Sequence, residues 1–158
     1  SDKPEGPYQE IGRLPERFLG GDGALFVDQD HSVYCLWGAG MIAKMKKDMS
    51  GFEEKPWSLM SKIADFPMHK VLPGQHNERG PQLVRQNGKI RFLFTAETFR
   101  DGAFHSDTLV CEADAVDGPY SAPEILIPDS GQASVFHDGK QFNAVYLDKS
   151  ALVINELK

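Results

Sequence analysis

One hairpin pattern, written three times, constrains this chain more than any other feature. Leu25-Phe26-Val27 and Val33-Tyr34-Cys35-Leu36-Trp37 are apolar, β-branched or aromatic runs separated by the polar Asp28-Gln29-Asp30-His31-Ser32. Such a pair reads as two antiparallel strands. Gln82-Leu83-Val84 and Ile90-Arg91-Phe92-Leu93-Phe94 repeat it around Asn87-Gly88, and Asn-Gly between strand-like runs is the strongest short-range hairpin cue. Ser134-Val135-Phe136 and Gln141-Phe142-Asn143-Ala144-Val145-Tyr146 repeat it again around His137-Asp138-Gly139-Lys140. The anchors Leu25, Leu83 and Val135 recur at intervals of 58 and 52 residues.

Intervals near 50 residues, each holding several short strands, point to propeller blades rather than to stacked helix pairs. A second landmark recurs in another register, as Gly6-Pro7-Tyr8 and Gly118-Pro119-Tyr120, with Gly51-Phe52 as a weaker counterpart. The expected fold is all-β: a partial five-bladed β-propeller of about three blades preceded by the tail of another. A small β-sandwich is the alternative. As a single domain over 1–158, the units fall at about 1–20 (the tail), 21–70, 71–127 and 128–158. Three blades would leave two open sheet edges, through which copies can associate.

Two segments interrupt the rhythm. Gly40 to Met49 has some helical character, but Gly38 and Gly40 disfavour a helix start, so it reads as a third strand and a charged loop. His69 to Arg79 carries Pro73, Gly74, two histidines and Glu78 without periodicity, a loop of the kind that often carries function. Ala151 to Leu157 reads as a last strand. Cys35 and Cys111 lie in β-rich runs and read as buried free thiols.

Composition excludes some roles. With 17 Lys and Arg against 23 Asp and Glu, the net charge is −6, the wrong balance for tracking nucleic-acid phosphates. No run nears the roughly 20 apolar residues that span a bilayer, so no membrane partner is expected. His69, His76, Glu78 and His105 match no compact ligand spacing, and neither a metal nor a cofactor is expected. No Gly-x-Ser-x-Gly supports a serine nucleophile.

In a propeller the innermost strands of successive blades line one channel, so the residues heading those strands meet at its mouth. The positions three before each anchor are Asp22, Gly80 and Gln132, with Glu78 and Arg79 just upstream of Gly80. Carboxylates, a guanidinium and an amide around a concave mouth suit a neutral polyhydroxylated ligand, which makes an oligosaccharide or polysaccharide the expected partner. Trp57, after Pro56 in a polar stretch, is the better exposed stacking residue, whereas Trp37 ends a core strand.

The strings Gly21-Asp22-Gly23-Ala24-Leu25-Phe26, Arg79-Gly80-Pro81-Gln82-Leu83-Val84, Asp117-Gly118-Pro119-Tyr120 and Gln132-Ala133-Ser134-Val135-Phe136 resemble the family 43 glycoside hydrolases. These are five-bladed propellers that cleave arabinose- or xylose-containing and related plant glycans with inversion. The resemblance runs from about Gly6 to Tyr146. It implies a secreted or periplasmic protein, although the chain shows no signal peptide. It also implies three carboxylates: a general base, an Asp that tunes the acid, and a Glu general acid. Inversion requires one ionised and one protonated carboxyl group with room for water between them, and a nearby anion keeps the acid protonated.

Asp22 matches the tuning Asp. The general acid is expected in a Glu-Gly-Pro motif, where this chain has Arg79, so Glu78 serves only if the loop shifts by one residue. Gln132 replaces a common histidine. Arg79 is expected either to bind a substrate anion or to pair with Asp22. The resemblance places the base on a first blade, which this sequence is expected to lack. The expected outcome is a hydrolase-like chain that is inactive alone, or a non-catalytic carbohydrate-binding module.

Overall fold

A computed structural model describes Pro7 and residues 22–64, 79–148 and 151–157 of the chain. The unit at about 1–20, the loop before Arg79 and its Glu78 lie outside the described residues. The rest forms three separate antiparallel sheets and, among the described residues, no α-helix. The first contains β1 (Gly23–Val27), β2 (Val33–Trp37), β3 (Met41–Lys44) and β4 (Trp57–Ser58) in that order. The second contains β5 (Arg79–Gln86), β6 (Lys89–Arg100), β7 (Ala103–Ala113) and β8 (Glu124–Ile127). The third contains β9 (Ser134–His137), β10 (Phe142–Asp148) and β11 (Ala151–Glu156).

All three expected hairpins form. Leu25 pairs with Cys35, Leu83 with Phe92, and Val135 with Ala144, so each anchor lies on the first strand of its sheet. Asn87 and Gly88 both take positive φ, 53° and 80°, as a two-residue hairpin turn matched to strand twist demands. The Gly40–Met49 segment opens as strand β3 and turns at Asp48, as its glycines indicated.

The sheets stack face to face. Leu36 and Ile42 of the first, with Leu59 just after β4, pack in one core with Phe92, Phe94 and Cys111 of the second and Tyr120 of the segment between β7 and β8, each at most 1% exposed. Burying each large apolar side chain contributes about 1.5–3 kcal/mol. The contact is tight enough that a Cβ on Gly40 would sit 2.8 Å from the Phe92 ring. Ile127, Ala133 and Ala144 build a smaller core between the second and third sheets. The middle sheet is therefore covered on both faces, and Leu93, Phe94 and Thr95 of β6 are all buried. Among the described residues no sheet covers the other face of strand β1, where Leu25 and Val27 are about 60% exposed.

The Gly118-Pro119-Tyr120 landmark is a tether between sheets. The Tyr120 N–H donates to the Lys62 carbonyl and its carbonyl accepts from Ala64, both at 2.9 Å. Cys35 and Cys111 are free thiols; Cys111 is fully buried and Cys35 only partly.

Candidate active site

The first strands β1, β5 and β9 run side by side, and side chains bind them to one another at both ends. Gln82, near the start of β5, donates through Nε2 to the Ala133 carbonyl at 3.2 Å and accepts the Val135 N–H at 2.8 Å. A side-chain amide thus substitutes for a ladder rung where two sheets meet at their inner edges. At the far end, Arg85 donates to Asp28 through Nε at 3.0 Å and Nη2 at 2.7 Å, fastening β5 to the end of β1.

The heads of the three strands converge. The Asp22 carboxylate accepts the Gly80 N–H at 3.3 Å across 58 residues of sequence. Asp22 holds a positive φ of 60°, a conformation Asp tolerates better than most residues. Gln132 also lies against Gly80, so close that a Cβ there would be 3.0 Å from Gln132 Cγ. Gly80 itself has a φ of 62°, and only glycine accommodates both demands without strain. Three positions selected from sequence spacing are thereby in one cluster.

Arg79 heads β5, exposed beside this cluster. Among the described residues it forms no ion pair, with Asp22 or any other group. Trp57 is elsewhere. Its ring meets Tyr34 edge-on at 6.3 Å, beside a cavity of about 520 Å³ that Asp28 and Arg85 line at the opposite end of the inner strands. Trp37 is in the core, stacked on Phe52 at 5.4 Å.

The segment carrying Gln132 is held by groups that the sequence patterns did not single out. Thr95 and Thr108 donate to the Gly131 carbonyl at 3.0 and 3.1 Å. The Gly131 N–H donates to Ser106 at 3.0 Å. Below them the fully buried Asp107 carboxylate accepts from Arg100 at 2.9 Å, from the Asp129 N–H at 2.8 Å, and from the Thr98 hydroxyl. Burial pushes Asp107 up, but these hydrogen bonds outweigh it and hold the carboxyl below its usual range. His105 at 2.7 Å and Arg100 at 3.0 Å engage Asp129, whose carboxyl is also held low by those bonds.

The hairpin of β6 and β7 supplies a wall. Arg79 pairs with Thr95, yet β6 continues to Arg100 and β7 returns from Ala103. At about 3.3 Å per residue, it rises roughly 16 Å past the head of β5. Glu97 pairs with Ser106, and Phe99 with Phe104, along this extension. Asp101 and Gly102 turn it with φ of 52° and 79°. Asp-Gly is a hairpin cue as strong as Asn87-Gly88. Among the described residues, no group of His, Cys, Asp and Glu side chains is arranged to hold a metal ion.

Solved structures with the same arrangement are glycoside hydrolases. An endo-arabinase from Bacteroides thetaiotaomicron superposes with a TM-score of 0.69 at 22% identity, covering 100% of this chain and 64% of that one. An exo-1,5-α-L-arabinanase from a bovine ruminal metagenomic library gives 0.68 at 19% identity, covering 98% and 61%. A family 43 endo-arabinanase from Bacillus licheniformis gives 0.61 at 15% identity, covering 85% and 52%. This chain shares their fold. Its three sheets are blades of that propeller, and it spans less than two thirds of the length of each of these enzymes. The sequence matches no protein-family model and no curated protein.

Proposed function

We propose that this chain is part of a carbohydrate-active propeller of the glycoside-hydrolase type, holding a glycan at the channel mouth formed by Asp22, Arg79 and Gln132. What supports this reading is the meeting of Asp22 and Gln132 at Gly80, the former accepting its N–H at 3.3 Å. Each offers different chemistry to a sugar. The Asp22 carboxylate accepts from hydroxyls, the Gln132 amide both donates and accepts, and the exposed Arg79 guanidinium donates. In a hydrolytic assembly Asp22 would raise the pKa of a neighbouring carboxylic acid by charge repulsion, with Glu78 as the acid.

Turnover by inversion needs a second, ionised carboxylate across the glycosidic bond. No residue of this sequence matches the family's general base and Arg79 stands in the acid motif, so the chain alone is expected to bind without cleaving. A non-catalytic binding module is the second reading, favoured by Arg79 and Gln132 at positions where the family has Glu and His. Aryl arabinosides, xylosides and galactosides should show no turnover above buffer. Calorimetry with oligosaccharides should show binding that Gln132→Ala or Arg79→Ala removes. Robust hydrolysis abolished by Asp22→Asn would overturn the expectation of inactivity, and binding unaffected by either substitution would overturn the site.

A further inference from the structure

The β6–β7 hairpin carries an exposed aromatic pair beyond the head of β5. Phe99 and Phe104 stand opposite each other near its tip, with ring centroids 5.0 Å apart, and each is 51% exposed. Side chains on a strand alternate between faces. Thr95, Glu97 and Phe99 therefore share one face of β6, and Thr108, Ser106 and Phe104 share the same face of β7. That face is the one whose threonines hold the Gly131 carbonyl, immediately before Gln132. The rings thus lie one alternation past Ser106, roughly 7 Å further along the strand, with the Glu97 carboxylate between them and the cluster.

We propose that Phe99 and Phe104 form an aromatic platform for a further sugar residue of the glycan held at the mouth, with Glu97 accepting hydroxyl hydrogen bonds between the two positions. This rests on the mouth being a glycan site. A sugar ring presents an apolar C–H face and a polar rim, and it suits an exposed aromatic pair beside a carboxylate. Two half-exposed rings form a patch far smaller than the several hundred Å² typical of a protein-docking surface. The intervening carboxylate would oppose apolar protein contact, and it would repel an anionic ligand. The platform makes the site selective for chain length: a short ligand is held by Asp22 and Gln132, and only a longer one reaches the rings.

The test is calorimetry with arabino-oligosaccharides of increasing length on the full chain. Affinity of the wild-type protein should increase once the ligand spans both positions. Phe104→Ala should reduce affinity for those longer ligands about five- to tenfold, the range expected for a lost aromatic contact. It should leave the shortest bound ligand within twofold. Phe104→Tyr, which keeps the ring, should restore the gain and guards against a frayed hairpin. Equal affinities of Phe104→Ala and wild type at every length would overturn the platform while leaving the mouth intact. So would an equal loss at every length, which reports damage to the Gln132 segment. Absence of wild-type binding at any length would overturn both readings. A dimer that light scattering finds in wild type and not in Phe104→Ala, with sugar affinity unchanged, would assign the rings to self-association instead.

Discussion

Gln82→Leu tests the seam between the second and third blades. Leucine is similar in length and shape but can replace neither hydrogen bond, at 3.2 Å to the Ala133 carbonyl and 2.8 Å from the Val135 N–H. Both backbone groups are left without their partner at a part-buried junction. Each unsatisfied group costs about 1–3 kcal/mol; part-burial favours the lower half of that range, giving a total of about 2–4 kcal/mol. For a chain of this size, a loss of 1 kcal/mol lowers Tm by about 2–4 °C, so the melting point should fall by about 5–15 °C. Urea titration should show the midpoint falling with an unchanged slope. Hydrogen exchange should accelerate most at Val135, and Gln82→Glu, which keeps the acceptor alone, should lose roughly half as much. A Gln82→Leu protein within about 0.5 kcal/mol of wild type, with Val135 still protected, would refute an amide bridge joining the inner strands.

Asp107 is held below its ordinary pKa when folded, so its contribution is present above the unfolded value near 3.9 and is lost as pH falls through the folded value. Asp107→Asn should flatten the acid side of a stability–pH profile below about pH 4, and Asp107→Ala should cost about 2–4 kcal/mol at neutral pH by leaving the Asp129 N–H and the Thr98 hydroxyl without their acceptor, while Arg100 keeps its pairing with Asp129. Burial pushes the Cys111 thiol up to about 12; a thiol reagent at pH 8 should leave Cys111 unmodified until the chain is unfolded, while the part-exposed Cys35 reacts first. Leu25, Val27, Leu152 and Ile154 are at least 60% exposed, and light scattering at rising concentration should show self-association through these outer faces. A strict monomer would count against that expectation.

Much of this architecture was written in local pattern. Asn87-Gly88 between apolar runs fixes a hairpin because both residues tolerate positive φ, and the spacing of Leu25, Leu83 and Val135 locates the inner strands. From those two facts the meeting of Asp22, Gly80 and Gln132 follows by geometry. The extension of β6 and β7 was legible in Asp101-Gly102 between the strand-favouring Thr95, Thr98 and Phe99 and the run from Phe104, a cue outside the repeated hairpin pattern. Tertiary roles were not legible. Nothing in a run containing Gln82 marks its amide as bridging two blades. Asp107 resembles any turn-flanking carboxylate until Arg100, Thr98 and the Asp129 N–H are folded around it. Trp57 illustrates the same limit, since a polar stretch indicates some exposure but not which end of the channel the ring approaches.

The most direct test of a shared sugar-binding mouth is an NMR titration with an arabino-oligosaccharide, following the Gly80 amide and the Gln132 side-chain NH₂. Both signals should shift along one saturation curve with a single Kd, and Asp22→Asn should weaken both together by about tenfold or more. Separate curves, or shifts confined to residues remote from Gly80 and Gln132, would contradict it.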